Sequence, residues 1–261
     1  MPKRLARVAL VALASACSAG DPTVVHEPYV GSPPYPDTRT KVAWPDGDFA
    51  VVPTSGADFV AVYDLAGGRS VASVPVGRNP VALDGPHQVV GDRARGVAYA
   101  VLSYPGSAAS AGQHSHGESA LPGWIQKLAL DDLRPIGEVR LDPNPGEAAI
   151  SEDGARLVVT QFDLARAGAP GSVDTKRADL TVIDPAQMLP FGTPEPDKLL
   201  VCVAPHGVTL SRPDGAKAFV ACYGEDAIAV VDLVDVHAPV VRVSVGATPG
   251  EPGKPRYGPY E

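Results

Sequence analysis

From about Lys41 onward the apolar positions fall in short β-rich runs, each ended by Gly, Pro, Asp or Asn. Phe49-Ala50-Val51-Val52 is followed by the turn Ser55-Gly56-Ala57, and Phe59 to Tyr63 by Asp64 and Ala66-Gly67-Gly68. Val71 to Val74 leads to a break at Gly77-Arg78-Asn79-Pro80, then to Val81-Ala82-Leu83; Val97 to Leu102 follows a turn at Asp92-Arg93. Further on, Gly146 to Ile150 pairs with Leu157 to Thr160 across Ser151-Glu152-Asp153-Gly154. Pro205 to Leu210 pairs with Ala218 to Cys222 across Arg212-Pro213-Asp214-Gly215. Asp-Gly is a strong hairpin signal because Gly takes the positive φ of a tight turn. No long amphipathic helix is visible, and short strands with regular turns predict an all-β chain.

The runs repeat. Asp58-Phe59-Val60-Ala61-Val62-Tyr63-Asp64-Leu65 returns as Asp226-Ala227-Ile228-Ala229-Val230-Val231-Asp232-Leu233, with a weaker copy at Asp179-Leu180-Thr181-Val182-Ile183-Asp184. Asp-ended strands recur near 64, 131, 184 and 232. A recurring unit of this kind marks repeated sheets. One Asp per repeat at the same turn predicts a structural role for Asp64, Asp184 and Asp232, accepting backbone N–H bonds. Excess length between repeats is assigned to inserted loops at 104–123, 164–178 and 186–197.

The second strand of a repeat reads Val158-Val159-Thr160-Gln161 and Phe219-Val220-Ala221-Cys222; the next strand ends in Val-Val-Asp-Leu at 230–233. With Pro205-His206-Gly207-Val208 and the Pro-Asp-Gly-Ala-Lys of 213–217, this resembles the YVTN-type β-propeller repeats over roughly residues 42–250. The resemblance implies a β-propeller of four-stranded antiparallel blades. About four blades' worth of strands are present, expected to be part of an incomplete propeller near seven blades, with a four-bladed ring as the alternative. Residues 256–260 read as the start of a further innermost strand.

The chain's beginning has another character. Lys3, Arg4 and Arg7 precede the apolar Val8 to Ala16, too short to span a bilayer. Residues 1–17 read as a secretory signal ending in Ala14-Ser15-Ala16-Cys17. Cys17 resembles a lipobox cysteine, so lipid anchoring and simple cleavage both stand, with Ala14 where such boxes carry Leu or Val. Residues 18–40 read as a Pro- and Gly-rich linker, and 41–261 as the propeller. Export permits a disulfide between Cys202 and Cys222; two buried thiols or a metal pair are the alternatives, the last a poor fit without CxxC. The expected location is the outer membrane, periplasm or cell surface of a bacterium.

The net charge is −8, and losing the signal's three cations makes it more acidic. With no basic run after the signal, nucleic acid is excluded as a partner. Six histidines are weighed for chemistry. His114 and His116 flank Ser115 near Glu118 and offer imidazole to zinc or copper, against a solvated-loop reading. His206 precedes an expected innermost strand and is the candidate for binding at the channel mouth, against a turn histidine bonded to backbone. His87 and His237, like His26, sit in Pro- or Gly-flanked turns and read as surface residues. CxxCH, GxSxG, Walker and dinucleotide loops and the EF-hand spacing are missing from the sequence, so no cofactor is expected. The resulting expectation is a non-catalytic exported scaffold that binds an unknown protein or small molecule. The alternative is a lactonase-like hydrolase, or the propeller part of a metal- or haem-dependent oxidoreductase.

Overall fold

The computed structural model describes residues 42–78, 83–103, 121–188, 196–246 and 257–260. Four antiparallel sheets follow one another along the chain. The first holds β1 (Phe49–Thr54), β2 (Phe59–Asp64) and β3 (Arg69–Pro75). The second holds β4 (Pro86–Asp92), β5 (Val97–Leu102), β6 (Trp124–Ala129) and β7 (Pro135–Arg140). The third is β8 (Pro145–Ile150), β9 (Leu157–Gln161), β10 (Arg177–Ile183) and β11 (Asp197–Val203). The fourth is β12 (Pro205–Leu210), β13 (Lys217–Cys222), β14 (Ala227–Asp232) and β15 (Val241–Ser244). Each is a simple meander, and the sheets are successive blades of a β-propeller. Two short helices, α1 (Leu164–Gly168) and α2 (Val173–Lys176), occupy the insertion between β9 and β10. No helix among the described residues is long and apolar enough to cross a membrane.

Strand alternation explains the stacking. One face of each sheet packs forward and the other backward, so both read as apolar along the inner strands. Tyr99, Val101 and Ile125 of the second sheet meet Leu157, Val159 and Ile183 of the third. Val158 and Leu180 of the third meet Ala218, Val220 and Val231 of the fourth. The strands β4, β8 and β12 pack on one another in turn along the propeller axis.

The expected Asp-ended strand is the third of its blade in every case. Asp64 accepts from the Gly67 N–H, Asp132 from Arg134, Asp184 from Ala186, and Asp232 from both Val234 and Asp235. These are turn-closing bonds, with one job repeated. In the second sheet the bonding residue is Asp132, the neighbour of the Asp131 picked out by spacing.

Two strand assignments change. Val81 and Ala82 lie outside the described residues and Leu83 is in no strand; the innermost strand there is β4, starting at Pro86. The reason is a knuckle between sheets. The buried Asp58 carboxylate takes the N–H groups of Asp84 and Gly85, so the backbone there is tied to the previous blade instead of a neighbouring strand. The first sheet also has three described strands, not four. Since β2 copies β14, its strands β1, β2 and β3 hold the second, third and fourth places of a blade. In keeping with this, β1 packs on β4 as β5 does on β8 and β9 on β12.

Neighbouring blades are stitched by side chains. Cys202 on β11 and Cys222 on β13 form a disulfide, with Cα atoms 5.8 Å apart, joining the third blade to the fourth. Between the first and second blades, the Arg78 guanidinium is paired with Glu138 at 3.2 Å and stacked over the Trp124 ring at 3.4 Å. Gln126 completes that buried network by bridging Gly77 and Glu138.

Candidate functional site

The starts of β4, β8 and β12 and the segment 257–260, expected to open a further innermost strand but in no strand here, share one backbone device. Gly85, Asn144, Ala204 and Gly258 all have φ between 48° and 62°, and each is followed by a proline: Pro86, Pro145, Pro205, Pro259. A left-handed residue before proline turns the chain sharply into the axis. The next residue, His87, Gly146, His206 or Tyr260, is thereby aimed at the same end of the propeller.

Three of these side chains meet there. The His206 ring is buried and stacks on Tyr260 with centroids 3.7 Å apart. His87 meets it edge-on at 5.5 Å and Phe162 at 4.7 Å. Tyr260 also touches Phe162 and Tyr223 edge-on, at 5.7 and 6.2 Å. Such tilted and stacked pairs are the favoured aromatic geometries. Glu147 brings the one carboxylate, with Oε1 3.8 Å from His206 Nδ1. His87, Glu147 and Tyr260 are half-buried and Tyr223 is exposed, so the cluster has an open side above a closed floor.

Gly146 makes the meeting of two histidines from non-adjacent blades feasible. A Cβ there would lie 2.6 Å from Thr160 Oγ1 and 3.5 Å from His206 Cα. Thr160 in turn donates to the His206 carbonyl and accepts the Glu147 N–H, locking β8 to β12. The Gly207 N–H donates to the Tyr260 carbonyl at 2.8 Å, which ties the Tyr260 backbone to β12. Chemically, the arrangement offers flat aromatic faces, two imidazoles and one acidic oxygen.

His206 does stand at the start of an innermost strand, but its ring is enclosed by aromatic neighbours instead of open to solvent. His87 is not a plain surface residue; it belongs to this cluster. His237 lines a shallow rim groove of about 430 Å³ with Lys198, Leu200 and Val236, away from the other histidines. His114, His116 and Cys17, like His26, lie outside the described residues. Among the described residues, no group of three or more His, Cys, Asp or Glu side chains is placed to hold a metal ion. Sequence reasoning missed Glu147, Phe162 and Tyr260. The signal that finds Tyr260 is the proline register at 86, 145, 205 and 259, which aligns each following residue.

No protein-family description matches this chain, and neither does any curated sequence relative. Solved structures do resemble it. Hydrazine synthase from Kuenenia stuttgartiensis superposes with a TM-score of 0.56 at 15% identity, over 78% of this chain and 62% of that one. A functionally unknown protein from Desulfotomaculum acetoxidans gives 0.50 at 15% identity, over 79% and 55%. The chain therefore spans less than two thirds of the length of these neighbours. At such identity the likeness is one of fold, and the fold is an all-β propeller.

Proposed function

We propose that this chain is a non-catalytic, exported binding propeller of the YVTN-repeat kind, anchored through Cys17 or released, and that it takes a small organic ligand at the axial cluster. The observation that supports this reading is the convergence of His87 and His206 from two blades with Tyr260 of the 257–260 segment at one end of the axis, beside Glu147. Ligand sites favour concave, largely apolar settings with a few polar groups that fix orientation. Aromatic faces next to a carboxylate suit a planar or cationic organic group. The probe that tests this is benzyltrimethylammonium, followed by ligand-observed NMR. Binding that disappears in Tyr260→Ala and weakens in Glu147→Gln is expected. Binding indifferent to both changes, or none, would refute the reading.

A second reading is the propeller part of a metal- or haem-dependent oxidoreductase, or a lactonase-like hydrolase. Its support is the shared fold with hydrazine synthase, an enzyme by name. Elemental analysis of the purified exported form separates the two: stoichiometric copper, zinc or iron lost in His206→Ala favours the enzyme.

A further inference from the structure

The Asp that opens the sequence repeat reaches the axial cluster, and we propose that Asp58 and Asp226 are the positioning residues of the ligand site, each holding one of the two rings that flank His206. This rests on the binding reading above. The two places match bond for bond. The Asp58 carbonyl accepts the Val76 N–H and the Asp226 carbonyl the Val245 N–H, both at 2.8 Å. Val76 and Val245 directly follow β3 and β15, the last strands of their blades. Both Asp residues are buried and left-handed, with φ of 48° and 50°. Each side chain then reaches forward along the chain. Asp58 Oδ1 takes the Gly85 N–H and Asp226 Oδ1 the Gly258 N–H, both at 2.8 Å. A carboxylate accepting backbone N–H groups makes the stronger, charge-assisted kind of hydrogen bond. Gly85 and Gly258 are the left-handed residues that precede Pro86-His87 and Pro259-Tyr260. Matching glycines give both carboxylates room: a Cβ built at Gly77 would lie 3.3 Å from Asp58 Oδ2, and one at Gly246 would lie 3.1 Å from Asp226 Cβ.

The rings so held are His87, edge-on to His206 at 5.5 Å, and Tyr260, stacked on it at 3.7 Å. The second blade shows the converse. There Gly123 takes the place of Asp58, its carbonyl accepting the N–H of Leu141, just after β7, at 2.8 Å. A side chain at Gly123 would run into the Pro145 ring, and the residue after that proline is Gly146, which has no ring to aim. The carboxylate is thus present where His87 and Tyr260 are delivered and absent where Gly146 is. His206 is held by other means, through the Thr160 hydroxyl on its carbonyl. A binding constellation keeps its geometry only when such supporting bonds fix the groups that touch the ligand.

Asp58→Ala and Asp226→Ala test this, beside Val62→Ala, a control that trims a fully buried side chain of β2 without touching either tie. All are studied below their thermal midpoints, first by NMR without ligand. Asp58→Ala should lose the nuclear Overhauser contact between the His87 and His206 rings and keep the upfield shift that Tyr260 gives His206. Asp226→Ala should do the reverse. In titration with benzyltrimethylammonium each Ala variant should bind about tenfold more weakly than the parent, and Val62→Ala within about twofold of it. Asp58→Asn and Asp226→Asn should fall between, because the amide oxygen still accepts an N–H; where an Ala variant does not fold, its Asn counterpart is read in its place with the same signs. Ala variants that keep both ring contacts, or that each lose both alike, would overturn the proposal. So would a Val62→Ala chain that weakens the probe as much as they do. A parent that does not bind the probe refutes the binding reading, while the ring contacts, read without ligand, still decide whether the two carboxylates hold the rings.

Discussion

The Asp58 carboxyl is buried between the first two blades, and that burial pushes its pKa up to about 6 despite two backbone N–H donors, with Asp84 adding to the rise. The folded chain thus holds this proton more tightly than the unfolded chain, where the value is near 3.8. The stabilising contribution is complete below 3.8 and is lost as pH rises through about 6, an effect on the order of 3 kcal/mol. Asp58→Asn removes the titration. Thermal midpoints measured between pH 4 and 7 should be flatter for the variant than for the parent; parallel curves would contradict this. Gly146 poses a steric counterpart. Gly146→Ala drives a Cβ into Thr160 Oγ1 and should cost about 1–3 kcal/mol in denaturant unfolding while loosening His206. Neither role was visible from residue type. Asp58 was legible as a repeat position, but its burial and its grip on the next blade depend on a contact 26 residues away. Glycine in a strand signals close approach only once the approaching backbone is known.

At the scale of elements, hairpins were the legible part, because alternation and Asp-Gly turns are local. The Pro205–Leu210 and Lys217–Cys222 pair stands where the pattern placed it. The start of β4 was not legible, since Val81-Ala82-Leu83 has strand chemistry but adjoins a tether to another blade. Apart from the Cys202–Cys222 pairing that the cysteine count offered, ties between blades are non-local and so hidden from pattern. The Cys202–Cys222 disulfide closes a loop of 20 residues, which on the chain-entropy model stabilises by about 3 kcal/mol. Cys202→Ser with Cys222→Ser should lower unfolding free energy by roughly that amount, and reductant should then have no further effect. Arg78 makes a sharper case. Burial raises the pKa of Glu138 and Arg78 opposes the rise, so Arg78→Met leaves a buried acid without its closest cation. The expected loss is about 3–5 kcal/mol, largely recovered in Arg78→Met with Glu138→Gln. A single variant as stable as the parent would show the pair to be idle.

For the whole molecule, the repeat in sequence carried the architecture: copies of one Asp-ended strand imply copies of one sheet, and sheets with two apolar faces must stack. Function was less legible because the axial cluster is assembled from residues near 87, 147, 162, 206, 223 and 260 that share no local motif. His206 could be suspected alone; its stacking on Tyr260 could not, because that contact joins the start of one blade to a segment beyond β15. The account turns on this convergence of two strand starts and the 257–260 segment at the axis. Its most direct test is the ¹H chemical shift of the His206 ring protons in the folded chain. Stacked 3.7 Å from Tyr260, they should resonate well upfield of a solvent-exposed histidine and move back in Tyr260→Leu. Ring protons at ordinary positions, unmoved by that substitution, would contradict it.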